Sequence, residues 1–393
     1  MPIGNTINCR PVSRIADIGE NRWNRCALPP GKDVENAPYN PFLNYRFLHA
    51  LEKSGSATSE SGWTPHHMVA ENRKGEILGV MPLYLKSHSR GEYVFDFAWA
   101  DAYERAGGAY YPKFQSAVPF TPVAGRRILV SPIEHQQEIK HQLIQSAIDC
   151  LQPYGASSLH FTFIDRDDWE YLGKIGFLQR MDQQFHWRNE GYRSFDQFLE
   201  RFSSKKRRNI KRERRLALKE GLQIEHLQGR EIREEHWEVF YKFYQDTGKR
   251  KWGVPYLNKT FFLMIGEEMA DDIVLILCRH NGRYVAGALN FLGSDTLYGR
   301  YWGCIEDHAY LHFEVCYYQA LDFAINHRLN RVEAGAQGEH KLSRGYLPRY
   351  TYSAHWITHP GFRDAIDHYL KSETQLVHED HLLLHRHSPF RRG

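Results

Sequence analysis

A repeat constrains this chain more than any other feature. Gly176-Phe-Leu-Gln-Arg180 runs on to His186-Trp187, and Gly345-Tyr-Leu-Pro-Arg349 runs on to His355-Trp356. Aligned on the glycine, Gly, Leu, Arg, His and Trp fall at identical offsets in both copies, five matches within twelve positions. Each window also closes the same order of predicted elements. Such self-similarity is the mark of one structural unit built twice, and 393 residues leave room for two units.

In the first copy, residues 42–51 have helical apolar spacing, and the Ser/Gly-rich stretch 53–62 reads as a loop. Strands are expected over 67–71 and 76–85 around Asn72-Arg-Lys-Gly75, with a further strand-like run over 93–99. Ser131-Pro-Ile-Glu134 predicts a helix start with a capping box, the helix running to about residue 151, and 158–164 returns as an apolar strand. The second copy follows suit. Residues 272–279 and 283–292 flank Asn281-Gly282, the strongest hairpin signal in the chain. A strand over 296–302, a buried helix over 312–326 and a strand over 331–334 complete it. The expected class is α/β (α+β), two tandem domains, each a mixed sheet flanked by helices. They are placed at 40–190 and 226–372, with an extension over 1–39 (a short helix near 16–26), a connector over 191–225 and a tail over 373–393.

The connector carries most of the charge. From Lys205 to Lys219 there are nine Lys/Arg and one Glu, a net of +8, so the rest of a +4 chain sums to −4. This predicts a basic helix capped by Ser203 or Ser204, with Lys205 and Arg208 available to phosphates. It contains no aromatics, so stacking on single strands is not indicated. The overall +4 is too mild to imply a nucleic-acid or membrane partner. Six scattered cysteines without a C-x-x-C pair argue against a zinc site of the usual spacing and against a disulfide framework. No apolar stretch reaches spanning length, and a reduced, cytoplasmic protein without a membrane span is expected.

Within the second copy, the loop Gly335-Ala-Gln-Gly-Glu-His-Lys341 puts an acid, an imidazole and an amine side by side where a buried strand ends. Loops at strand ends expose side chains that a rigid sheet holds in place. The first copy has Asp165-Arg-Asp-Asp168 there, so equivalent active sites in both copies are not expected.

The element order and the blocks FDFAWADAYERAG, SSKKRRNIKRERR, LYGRYWG, LHFEVCYYQA and EAGAQGEHKLSRGYLPRYTYSAHW resemble bacterial FemAB-like predicted N-acyltransferases of the GNAT (acyl-CoA N-acyltransferase) superfamily. The resemblance covers roughly residues 40–369. It implies two GNAT-like domains and transfer of an acyl group to an amine, with acyl-CoA or, as in FemAB relatives, aminoacyl-tRNA as co-substrate rather than a tightly bound cofactor. The Gln/Arg-x-x-Gly-x-Gly/Ala loop that cradles the CoA pyrophosphate is not matched by Gln337-Gly-Glu-His and only loosely by Arg105-Ala-Gly-Gly-Ala.

Acyl transfer to an amine needs a proton acceptor, donors for the tetrahedral oxyanion and an anion site for the donor's phosphates. Glu339 and His340 are the candidate bases, with Glu314 a further acid on the helix. Lys341, Arg344 and Gln337 are placed to hold donor or substrate. Tyr301, Trp302, Trp99, Asp101, Glu104 and Arg105 follow predicted strand ends and are read as lining the acceptor pocket. The plainer reading of Glu314 and His312 is a buried pair tying helix to sheet, and that of Cys316 a core cysteine. The substrate is expected to be a small-molecule or peptide amine, and no metal is assigned. His378, His381, His385 and His387 in the tail can be drawn as ligands, but an unordered terminal segment is the simpler reading. A peptide-bond-forming transferase on an amino acid, peptide or cell-wall precursor is the second reading. A non-catalytic nucleic-acid or glycopeptide binder is the third.

Overall fold

The computed structural model describes residues 7–28, 38–219, 221–251, 255–335 and 338–391, with the side chains at 249, 251 and 339 outside that description. The chain forms two compact units, Met1–Gln183 with Tyr350–Glu379, and Gln184–Arg349 with Asp380–Gly393. Each is a mixed sheet flanked by helices, a GNAT-like half.

In the first unit, the strand Ser158–Ile164 is buried along its whole length. It pairs antiparallel with residues 352–357 of the strand Leu347–Ile357 and parallel with Lys113–Ser116, followed outward by Tyr84–Lys86 and Trp63–Pro65. A separate antiparallel sheet holds Asn8–Val12, His67–Glu71, Ile77–Met81 and Leu129–Val130. The helix Gln136–Asp149 buries Ile139, Leu143, Ile144 and Ala147, an i, i+4, i+5, i+8 stripe that shares one core with Met68, Leu159 and Phe161.

In the second unit the order is Gln223–Gln228, Ile273–His280, Arg283–Leu292, Thr296–Cys304, Arg331–Glu333, then residues 186–188 of the strand Leu178–Arg188. Among the described residues of this unit, only Thr296–Cys304 and Arg331–Glu333 pair in parallel. Asn281 and Gly282 take φ of 50° and 78° with His280 opposite Arg283, the two positive values a type I′ turn requires. One helical run covers Leu311–Phe313, a π turn at Glu314–Tyr318, and Gln319–Asn326.

The repeat is visible in register. Both His-Trp strands are eleven residues long and start on the repeated leucine. Both follow a glycine at positive φ, 103° at Gly176 and 88° at Gly345. His355 lies opposite His160 and Trp356 opposite Leu159, as His186 lies opposite Glu333 and Trp187 opposite Val332. One strand further, Phe114 faces Leu159 as Leu297 faces Val332. The ends of these strands are exchanged. Residues 184–190, placed in the first copy, belong to the second unit, and residues 350–372, placed in the second copy, belong to the first. Boundaries drawn at 190 and 372 therefore differ from the compact units, because local pattern assigns a strand to its neighbours in sequence while long-range pairing assigns it to a sheet.

Other expectations are corrected. The run over 93–99 is no strand; Phe97–Arg105 is a helix, its alternating aromatics interleaved with the helix formers Ala98, Ala100 and Ala102. Trp99, Asp101, Glu104 and Arg105 therefore lie on a helix, not at a strand end. The capping box at Ser131 is not made: the helix starts at Gln136 after His135 in left-handed geometry, and the Glu134 side chain is exposed. Ser203 does precede the basic helix Ser204–Ala217, but without a side-chain cap. The tail is not an unordered segment but part of a long helix, Pro360–Arg386, in which the His381 and His385 ring centres lie 4.7 Å apart with the planes tilted by 59°. Among the described residues no helix is long and apolar enough to cross a membrane.

The repeated histidines are buried neutral. Nδ1 of His160 and His355 are 2.7 Å apart, and their Nε2 atoms meet Ser158 Oγ at 2.7 Å and Ser353 Oγ at 2.9 Å. Burial holds His160 down to about 3 and His355 well below the usual imidazole range. Because the folded pKa is depressed, only the unfolded chain takes up these protons as pH falls below about 6.5, so stability is lost from there toward pH 3. His355→Gln should flatten the fall in melting temperature between pH 6.5 and 4. Gly345→Ala should cost about 2–3 kcal/mol, because a Cβ there would lie 2.7 Å from Phe198 Cζ in a backbone shape that disfavours it. Gly176→Ala, whose nearest neighbour is Trp356 at 3.6 Å, should cost about 1 kcal/mol; thermal melts rank the two.

Candidate functional site

The loop singled out in the sequence leaves the buried strand Arg331–Glu333 in the second unit. It winds a 3-10 turn over Glu339–Arg344 between Gly338 (φ 119°) and Gly345. A Cβ at position 338 would sit 2.5 Å from the His340 ring, so the turn closes tightly on its own imidazole. Gln337 lies outside the described residues, as does the Glu339 side chain, and neither is placed.

Lys341 points inward and is 1% exposed. Its Nζ donates to the Gly335 carbonyl at 2.9 Å, and no described carboxylate bonds it. Burial draws its pKa down to about 7, and Arg300 pushes the same way. Near it stand charged and titratable groups that no local pattern in the sequence marks. Arg300 Nη2 is 3.9 Å from Glu333 Oε2, Arg331 Nε is 3.6 Å from Glu333 Oε1, and His186 Nδ1 is 3.9 Å from that same Oε1. Glu333 is 2% exposed and its Oε2 takes no hydrogen bond. His186 is held at about 4, chiefly by burial. Two arginines and a neutral imidazole thus group around one buried carboxylate. A drop from 10.5 to about 7 means that carrying the Lys341 charge there costs on the order of 4–5 kcal/mol.

His340 is exposed, with Nε2 2.8 Å from the Tyr317 hydroxyl. Its ring packs near Phe313 and His312 at 5.6 and 6.1 Å, and His312 lies 5.3 Å from Trp302. Trp302 and His312 line a recess of about 300 Å³. Tyr301 does not share it. Strand alternation turns its ring the other way, onto Tyr244 and Phe262 at 5.4 and 6.2 Å.

Two other expected site residues are held in ion pairs with the basic helix. Glu314 is fully buried and accepts from Arg214 Nη2 at 2.9 Å and from Gln319 at 2.7 Å. Burial raises its pKa, and Arg214 opposes that. Arg214 also reaches Asp322 at 2.6 Å. Arg344 donates to Glu213 at 2.8 Å, and its guanidinium lies 3.5 Å from the centre of the Phe313 ring. Glu213 and Arg214 thereby dock the basic helix, on a face with buried Ile210 and Ala217. The spacing 210, 213, 214, 217 was readable as one helical face. Lys205 and Arg208 are exposed, together with Arg212, Arg215 and Lys219.

The repeat also distinguishes its two arginines. Arg180 is neutralised by Glu373 through two bonds of 2.7 Å in the first unit. Arg349 has Arg188 and Arg331 as charged neighbours, which lower its pKa after burial does. Arg188 and Arg349 line a recess of about 280 Å³ with His186, Asn189 and Tyr192.

The remaining expected residues belong to the first unit. Trp99 is buried edge-on against His355 at 5.0 Å with Arg180 over its face at 5.1 Å, a packing role. Asp101, Glu104 and Arg105 are exposed on their helix. Four residues between positions 86 and 113, Lys86, Glu92, Asp96 and Lys113, meet in that unit at 4% exposure or less. Lys113 bonds Glu92 at 2.8 Å and also Asp96, while burial draws Lys86 down, and Glu92 up, to about 7. No periodic signal marks them.

The fold is that of a tandem GNAT-like α/β protein with a charged, partly buried loop in its second unit. A sequence model of the FemAB-like family, described as peptidoglycan biosynthesis/recognition, matches residues 14–392, and the chain belongs to that family. No curated protein sequence matches it. Among solved structures it is similar to FemX (14% identity, 79% of this chain and 92% of that one, TM-score 0.50). It is also similar to L-PGS from Bacillus licheniformis (10% identity, 86% and 99%, TM-score 0.50). A third likeness is to the C-terminal domain of a putative lysylphosphatidylglycerol synthetase from Agrobacterium fabrum (7% identity, 90% and 95%, TM-score 0.52).

Arg214→Met leaves the Glu314 carboxylate buried without its main partner and should cost about 3 kcal/mol. Lys205→Ala, on the exposed side of the same helix, should change the melting temperature little; the paired melts check both.

Proposed function

We propose that the second unit transfers an acyl-type group, aminoacyl in the favoured reading, from a phosphate-bearing donor to an amine. The observation that carries this is Lys341: an amine buried beside Arg300, bonded to no described carboxylate, at the end of a sheet strand. Such a site attracts negative charge, and a tetrahedral oxyanion is where acyl transfer develops it. In this reading the acceptor amine attacks the donor carbonyl, His340 takes the ammonium proton and returns it to the leaving oxygen, and Lys341 with Arg300 steadies the oxyanion. Glu339 is kept as a second candidate base.

The donor reading rests on the basic helix. The helix is fourteen residues long, about 20 Å at helical rise, and its exposed cations run from Lys205 to Arg215, which suits an extended polyanion such as tRNA better than one pyrophosphate. The recess at Arg188 and Arg349 suits a single phosphate and supports acyl-CoA as the second reading. The family's description supports an acceptor amine on a peptidoglycan-type precursor peptide.

A thermal-shift panel of charged tRNA, uncharged tRNA, acetyl-CoA and long-chain acyl-CoA decides the donor. A salt-sensitive shift with tRNA is expected; a shift with acyl-CoA alone replaces the favoured donor with the second, and no shift with any of them sinks the reading. In the assay so identified, His340→Ala should lower kcat about 10²–10⁴-fold and Lys341→Met about 10²–10³-fold, both folded. Lys341 is charged below about 7, so wild-type turnover should fall as pH rises above that value, and Lys341→Arg should remove this alkaline fall. Lys341→Met should also melt above the wild type, most clearly below pH 7. There the wild type carries the buried charge in full, and it recovers stability only as pH rises toward 10.5.

A further inference from the structure

The second unit holds another convergence of ligand atoms, away from the loop. His280 ends its strand at the Asn281-Gly282 turn, and Glu306 and His308 stand two residues apart in the segment after Thr296–Cys304. Nδ1 of His280 and Nε2 of His308 both face one oxygen, Glu306 Oε2, at 2.8 and 3.0 Å. One ligand atom from each residue lies within 4.8 Å of the others. Tetrahedral Zn²⁺ with nitrogen and oxygen ligands at about 2.0–2.2 Å sets its ligand atoms about 3.3 Å apart, inside this range.

The supports suit a metal. A two-residue type I′ turn fixes His280 in place. Arg283 Nη2 lies 3.5 Å from Glu306 Oε1, the oxygen that the histidines do not use. The Asn281 side-chain amide lies 3.2 Å from His280 Nε2, where its oxygen end can accept from the Nε2–H of a metal-bound imidazole, since the two ends of an amide occupy like positions. Glu306 and His308 also form part of the wall of the 300 Å³ recess, with Cys304, Asp307 and His312. An ion there would meet three protein ligands and a path to its remaining position.

We propose that His280, Glu306 and His308 form a site for a divalent transition metal of the zinc class, with its fourth position opening on that recess. The competing arrangement is a plain hydrogen-bonded clamp, in which both imidazoles donate to Glu306 and His280 Nε2 accepts from Asn281. The proposal does not depend on the acyl-transfer reading.

The test uses the full chain, stripped with a chelator and titrated with Zn²⁺ alone by calorimetry and with Co²⁺ by visible absorption. One equivalent per chain is expected, with Co²⁺ bands of four- or five-coordination. His280→Ala and His308→Ala should each weaken Zn²⁺ binding at least about tenfold. Glu306→Gln keeps the side-chain shape and should weaken it likewise, which keeps the test decisive if an alanine variant fails to fold. His381→Ala/His385→Ala, on the C-terminal helix, should leave binding unchanged. The proposal is overturned by no saturable binding below about 100 μM, by unchanged binding in the Glu306→Gln and histidine variants, or by loss of the equivalent in the C-terminal-helix variant. In those cases the three residues are a clamp only.

Discussion

The second unit depends on one pair of adjacent residues, Glu213 and Arg214. Arg214 meets Glu314 and Asp322 on the helical run 311–326, and Glu213 meets Arg344 on the loop. A buried carboxylate such as Glu314 is tolerable only with a partner that restores part of the hydration it lost. That requirement seats the basic helix, the π turn and the 3-10 turn against one another. The helix can then present its other cations to solvent, because its anchoring groups are already neutralised.

The two units use one register for opposite ends. Opposite the repeated histidine stands His160 in the first unit and Glu333 in the second. Two neutral imidazoles satisfy each other and carry no charge. A carboxylate draws cations instead, and Arg300 and Arg331 lie near it. The repeated arginine diverges likewise, closed by Glu373 at Arg180 and flanked by cations at Arg349. The first unit has balanced its charges at these positions, while the second keeps an excess of positive charge where its loop leaves the sheet.

Much of this was legible. The Asn281-Gly282 hairpin, the apolar strand at 158–164, the buried helix after residue 311 and the repeat offsets follow from periodicity and turn chemistry, which are local. Where local signals conflicted, as at Phe97–Arg105, the aromatics read as strand while the alanines and the site's packing made a helix. Of the loop, the spacing marked Lys341 and His340 but not their opposite orientations, one buried and the other exposed. Arg344 and Glu314 looked like site residues because their partners, Glu213 and Arg214, lie a hundred or more positions away.

The sequence by itself determined that one unit is built twice, that the positive charge is concentrated on one helix, and that a loop carrying an imidazole and an amine ends a strand of the second copy. These depend on periods, offsets and composition, which neighbouring residues specify. Only the tertiary structure decided that the copies exchange strand ends, that Lys341 is buried beside Arg300, and that His280, Glu306 and His308 converge. Each of these joins residues distant along the chain, and their energies come from pairing, burial and partial desolvation that exist only once the sheet has formed.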